Sequence, residues 1–148
     1  MDLVKKAERT AIAVTNANES EAVFSPDGRY LAYQSDESGR PEIFVQAYPS
    51  GSKFQVTTTD GSEPRWTAGG RELIYRAGNT IMAVAVTLQP FSVGPPQTLF
   101  SAPNLFAFDA TSDGGRFVIG VDAENREDVD FTLITGWFEE LRARTRPQ

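Results

Sequence analysis

Residues 20–33 (SEAVFSPDGRYLAY) return at 62–75 (SEPRWTAGGRELIY) without a gap. Ser20, Glu21, Gly28, Arg29, Leu31 and Tyr33 each meet the same residue type 42 positions further on. A fainter copy occupies residues 108–119, where Thr111-Ser112-Asp113-Gly114 precedes Arg116 and Phe117. A period of about 40 to 45 residues is the mark of propeller blades, in which one repeat builds one small sheet. The unit begins with a strand, makes a tight turn and continues into a second strand. In Ser25-Pro26-Asp27-Gly28, proline sets φ at the first central position, aspartate tolerates the next, and glycine follows. Thr67-Ala68-Gly69-Gly70 does the same with glycines. The aspartate of this turn is therefore read as structural, not catalytic.

Alternation follows each turn. Leu31 and Tyr33, Leu73 and Tyr75, and Phe117 and Ile119 stand two residues apart, which predicts one buried strand face. Third strands are expected at 42–48, 80–87 and 130–136, after the turn-forming segments at 36–41 and 77–79. Fourth strands are expected at 53–58 and 96–100. The reading is an all-β chain of three four-stranded antiparallel blades. Its segments are an N-terminal strand arm at 1–18, blades at 19–59, 60–101 and 102–138, and a polar tail at 139–148. The third blade has no evident fourth strand, because Glu139-Glu140-Leu141-Arg142 is polar and helix-prone. Residues 9–15 stand unattached before the first blade. They read as a spare fourth strand, or else as a frayed arm.

Gly (12) and Pro (9) suit a turn-rich β protein, and the net charge of −6 disfavours nucleic acid as a partner. The chain has neither cysteine nor histidine, which removes thiolate, imidazole and Ser-His-Asp chemistry. No catalytic residue, metal ligand or cofactor is assigned, and the expectation is that the chain is not an enzyme. No apolar run reaches the length of a membrane span, and the N-terminus lacks the apolar stretch of a signal peptide. A cytoplasmic place is expected for the chain as written, though a longer parent would be placed by its own signals. The acidic residues 122–130 lack the spacing of a calcium loop and read as a solvated hairpin.

With these motifs in place, the pattern at 24–33, with Ser35-Asp36-Glu37-Ser38-Gly39 and Glu42-Ile43-Phe44-Val45, resembles the TolB-type β-propeller repeat over residues 9–138. More narrowly, Tyr48-Pro49-Ser50-Gly51, Pro64-Arg65-Trp66 and Glu72-Leu73-Ile74-Tyr75 resemble the C-terminal propeller segment of bacterial Ser/Thr protein kinases. The kinase motifs themselves are absent, as is a Gly-x-Ser-x-Gly elbow. The resemblance implies a six-bladed ring and docking of a protein or peptide partner. A small-molecule or glycan sensor using the central channel is the alternative.

Three blades leave two open edges, and open edges invite pairing. A twofold homodimer is therefore expected, each N-terminal strand completing the partner's third blade. A truncated piece of a longer parent is the other reading. Ile12, Val14, Phe131, Leu133 and Trp137 are the interface candidates. Arg65 and Trp66 are the channel candidates. For Arg65 the competing reading is an inter-blade ion pair. For Trp66 it is core packing, by alignment with Phe24.

Overall fold

The computed structural model describes residues 11–12, 15–122 and 130–135. They form three antiparallel sheets of the meander kind. The first sheet holds β1 (Glu19–Phe24), β2 (Tyr30–Ser35), β3 (Glu42–Ala47) and β4 (Lys53–Gln55), in that order. The second holds β5 (Ser62–Thr67), β6 (Glu72–Ala77), β7 (Thr80–Leu88) and β9 (Gln97–Ser101), with β8 (Phe91–Val93) pairing the far end of β7. The third holds β10 (Leu105–Ala110), β11 (Arg116–Val121) and β12 (Asp130–Thr135). The chain is all-β with blade-like antiparallel sheets, as the repeat predicts.

The repeat is visible in the register. Phe24 lies opposite Leu31, Trp66 opposite Leu73, and Ala110 opposite Phe117. The first turn is closed by the Gly28 amide on the Ser25 carbonyl at 2.8 Å, with Gly28 at φ 70°. That positive φ is open to glycine without penalty. The third turn repeats it through Gly114 and Thr111 at 2.7 Å. The second departs from the proline-led turn: Ala68, Gly69 and Gly70 all take positive φ, in a short 3-10 turn. β1 and β5 also carry matching bulges, with Glu21 at φ 54° and Glu63 at φ 55°. A bulge increases local twist.

One expectation needs correction. β2 and β6 do not bury a single face: Leu31, Ala32 and Tyr33 are all buried, as are Leu73, Ile74 and Tyr75. The physical reason is stacking. Ala32, Ile43 and Val45 pack against Leu73, Tyr75, Val84 and Trp66 of the next sheet. The other face of that sheet, through Ile74, Ile81 and Ala83, packs against Leu105, Phe108, Phe117 and Ile119. Only β11 shows the expected alternation, with Phe117 and Ile119 buried around an exposed Val118.

The extra strand β8 was not foreseen. It follows from the length of β7, whose last residues run past β9 and pair with β8 instead. The fourth strand of the first blade is shorter than expected, ending at Gln55, although the Val56 amide still bonds the Ile43 carbonyl at 2.8 Å. At the N-terminus, the described residues 11, 12 and 15–17 form no strand.

Candidate functional site

Stacked sheets have two kinds of face, and the register tells them apart. Ala32 and Val45 of the first blade, and Ile74 and Ala83 of the second, are cross-strand pairs that point towards the following blade. All four are at most 4% exposed. The same pair in the third blade is Val118 and Leu133. They are 39% and 64% exposed. Beside them Phe106 is 50% exposed and lies over Gly120, where an added Cβ would come within 2.7 Å of the ring. A shallow depression of about 260 Å³ opens here, lined by Asp109, Thr111, Arg116, Val118 and Leu133 among others.

The opposite end of the row is the backward face of the first blade. Leu31, Tyr33 and Phe44 form its apolar patch, and Ile12 of the N-terminal segment packs on them. The Gln46 side-chain amide reaches the Ile12 carbonyl at 3.4 Å. Burial pushes the Tyr33 hydroxyl up to about 12, since the phenolate is costly to desolvate. Phe24 occupies the register position that Trp66 holds in the second blade. Trp66 is buried, whereas Phe24 is 51% exposed, with its ring edge-on to Tyr48. A second depression, of about 290 Å³, lies on this face between Ile12, Glu19, Glu21, Leu31 and Tyr33.

The residues singled out from sequence fall as follows. Ile12 is on the backward face and Leu133 on the forward one. Phe131 lies in β12 opposite Gly120. Val14 and Trp137 lie outside the described residues. Arg65 reaches Asp109 of the next blade at 3.3 Å and stands over the Phe108 ring at 5.8 Å. Trp66 donates its indole N–H to the Val23 carbonyl at 3.3 Å from within the core. Sequence reasoning missed Phe24, because alignment with Trp66 reads both as core. It also missed Phe106, whose strand is the least regular of the repeats.

The turn aspartates brace their own turns. Ser25 donates its hydroxyl to Asp27 at 2.6 Å, and the Arg29 amide and guanidinium add to it. These bonds favour the carboxylate and bring Asp27 down to about 2. Asp113 is lowered in the same way by the Thr111 hydroxyl and the Gly115 amide. At the N-terminal arm, Asn18 lowers Asp36 through its side chain and backbone amide. Among the described residues no group of three or more acidic, histidine or cysteine side chains converges to hold a metal. Residues 123–129 of the acidic stretch lie outside the described residues.

One buried polar pair stands out. Glu42 opens β3 and is 1% exposed. One carboxylate oxygen accepts from the Thr57 hydroxyl, which in turn accepts from the Ile43 amide at 2.9 Å. Its other oxygen has Arg40 Nε at 3.3 Å but no aligned hydrogen bond.

Comparison with known proteins supports the blade reading. No family model matches the chain. The Tol-Pal system protein TolB of Pseudomonas aeruginosa is 50% identical over 38 residues, which is 26% of this chain and 9% of that protein. The TolB structure from Acinetobacter baumannii superposes with a TM-score of 0.59 at 17% identity, covering 85% of this chain and 31% of that one. Oligogalacturonate lyase from Vibrio parahaemolyticus gives 0.53 at 17% identity, covering 66% and 27%. The chain thus spans a small part of the relatives it matches. It is built of TolB-type propeller blades; the narrower resemblance to kinase-linked propellers is not shown. The expectation that the chain is not an enzyme is corrected here. The same fold occurs in the lyase and in the acylaminoacyl peptidase of Pyrococcus horikoshii (TM-score 0.54, 22% identity, 78% of this chain and 19% of that one), so the fold does not exclude catalysis. No helix among the described residues is long and apolar enough to cross a membrane.

Proposed function

We propose that two copies of this chain close a six-bladed TolB-type ring that serves as a scaffold for a protein or peptide partner. The observation that carries the reading is the pair of apolar end faces. The forward face of the third blade presents Val118 and Leu133, at the positions where the other blades present buried aliphatic residues. The backward face of the first blade exposes Phe24, at the position of Trp66, while Leu31 and Tyr33, at the positions of Leu73 and Tyr75, lie buried with Ile12 packed on them. Each face has the chemistry of one side of an internal blade contact. Two three-blade rows related by a twofold axis bring each forward face onto a backward face and leave no end uncovered.

The partner-binding part of the proposal rests on the rim. The repeat turns at 25–30, 67–72 and 111–116 occupy the same place in each blade, and the first and third are braced by a hydroxyl–aspartate bond. Rigid turns on a closed ring make a preorganised docking surface. TolB is by name a component of a Tol-Pal system, which accords with a docking role.

The test is a peptide library selected against the purified protein, with the footprint read by hydrogen exchange. Protection at the rim turns with micromolar affinity supports the scaffold reading. Peptides that protect only the end faces, or no selectable binder, contradict it. Thermal-shift screening with sugars and nucleotides in parallel separates a small-molecule role.

A further inference from the structure

In both complete blades a hydroxyl on the fourth strand, or just past its end, bonds the polar residue that opens the third strand. In the first blade Thr57 donates to Glu42. In the second, Ser101 and Thr80 lie opposite one another in register with their hydroxyls 2.9 Å apart. The two sites are equivalent, since Glu42 pairs with Ser35 and Thr80 with Ala77, each two residues beyond the repeat tyrosine of its blade.

Among the described residues the third blade has the residue that opens the third strand and no fourth-strand hydroxyl beside it. Asp130 opens β12 opposite Val121, two residues beyond Ile119, which is the register position of Glu42 and Thr80. The outer edge of β12 has no partner strand among the described residues. A matching hydroxyl is at the other end of the chain. Thr15 precedes Thr57, and Ile12 precedes Phe54, by the same 42-residue offset that relates Ser20 to Ser62. Ile12 also behaves as a fourth-strand residue. It packs on Leu31, Tyr33 and Phe44, the backward face of the next blade. Phe54 likewise reaches the following blade, where it stacks on Phe91 of β8 at 4.3 Å.

We infer that Thr15 of one copy pairs with Asp130 of a second copy, as Thr57 pairs with Glu42, and so clasps the N-terminal segment onto the free edge of β12. The pair cannot form within one chain, because the second blade lies between the first and the third. In the single chain the Thr15 hydroxyl bonds Glu19 and the Ala17 amide instead, contacts between near neighbours that the clasp replaces. This inference rests on the two-copy ring proposed above and adds its register.

The chain has no cysteine, so crosslinking is clean. Directly opposed residues of an antiparallel pair have Cα atoms about 4.5 to 5.5 Å apart, within disulfide reach. Thr15→Cys and Asp130→Cys single variants are mixed and mildly oxidised, with the mass of the unmodified protein measured alongside. The expected result is a covalent dimer in the mixture and in neither variant alone. Replacing Asp130→Cys by Thr132→Cys, two residues along the strand, is expected to abolish it. A dimeric mass without the Thr15–Asp130 crosslink overturns the clasp and leaves the two-copy ring standing. A monomeric mass without crosslink overturns both. Should the cysteine variants fold poorly, Thr15→Val in the otherwise unmodified protein is read instead. It is expected to raise the dimer Kd about a hundredfold, the order of one lost hydrogen bond to a charged group at each of the two junctions. An unchanged Kd overturns the clasp.

Discussion

Thr57→Val tests whether the buried polar pair of the first blade is worth what its burial implies. Valine keeps the shape and removes the hydroxyl. Thr57 is 5% exposed and Glu42 1%, so water does not replace the lost partner. The substitution strips Glu42 of its one aligned donor and the Ile43 amide of its acceptor. A hydrogen bond to a charged group contributes about 1.5 to 3 kcal/mol, and a stranded buried amide adds further cost. The expected loss is about 3 kcal/mol. For a chain of this length that lowers the melting midpoint by about 6 to 12 °C. Urea unfolding at fixed protein concentration, followed by circular dichroism, measures it. The equivalent change in the second blade, Ser101→Ala, touches an exposed pair and is expected to cost no more than about 0.5 kcal/mol. In a double-mutant cycle, Glu42→Leu with Thr57→Val is expected to cost clearly less than the two single changes together, since the stranded carboxylate is gone. A Thr57→Val protein within about 0.5 kcal/mol of the parent, or equal costs in the two blades, would refute the reasoning.

Trp66→Ala is expected to lose about 3 to 5 kcal/mol by urea unfolding, as for a buried aromatic. Phe24→Ala, at the equivalent but half-exposed position, is expected to cost under about 1 kcal/mol in the isolated chain and to weaken its self-association instead. Gly61→Ala places a methyl 2.6 Å from Thr57 Oγ1 and 2.9 Å from Ile43 Cγ1, so a loss of about 1 to 3 kcal/mol is expected in the same assay. Asp27 titrates at about 2 when folded, below the ordinary carboxylate value, so its turn adds stability above about pH 4 that is lost as pH falls towards 2. Stability curves of the parent and Asp27→Asn are expected to differ at neutral pH and to converge near pH 2; parallel curves contradict this.

The sequence made the blades legible because each carries its own turn chemistry and a two-residue alternation. Ser25-Pro26-Asp27-Gly28 and Leu31 with Tyr33 are local signals, and local signals survive in a string of residues. What was not legible depends on neighbours. Ala32 and Ile74 are buried because another sheet lies over them, and Val118 is exposed because no sheet among the described residues does. Nothing in those three residue types distinguishes the cases. Phe24 shows the same limit: its alignment with Trp66 is right, and its burial is not, since the blade that would cover it is not in the chain as described. Strand β8 was missed because Phe91-Ser92-Val93 is too short to signal itself; the overlong β7 makes it. At the candidate site, Leu133 is singled out by its place in the last blade, and the structure leaves it exposed. The Glu42–Thr57 pair was not, because its fifteen-residue separation becomes a contact only once the register is known.

The central claim is that the two end faces are halves of one contact. Light scattering coupled to size exclusion, at micromolar concentration, tests it most directly. The account predicts a single species of about twice the 16.2 kDa chain mass, reduced towards one chain mass by Leu133→Glu on the forward face. A species at 16.2 kDa for the parent protein, unchanged by Leu133→Glu, would contradict it.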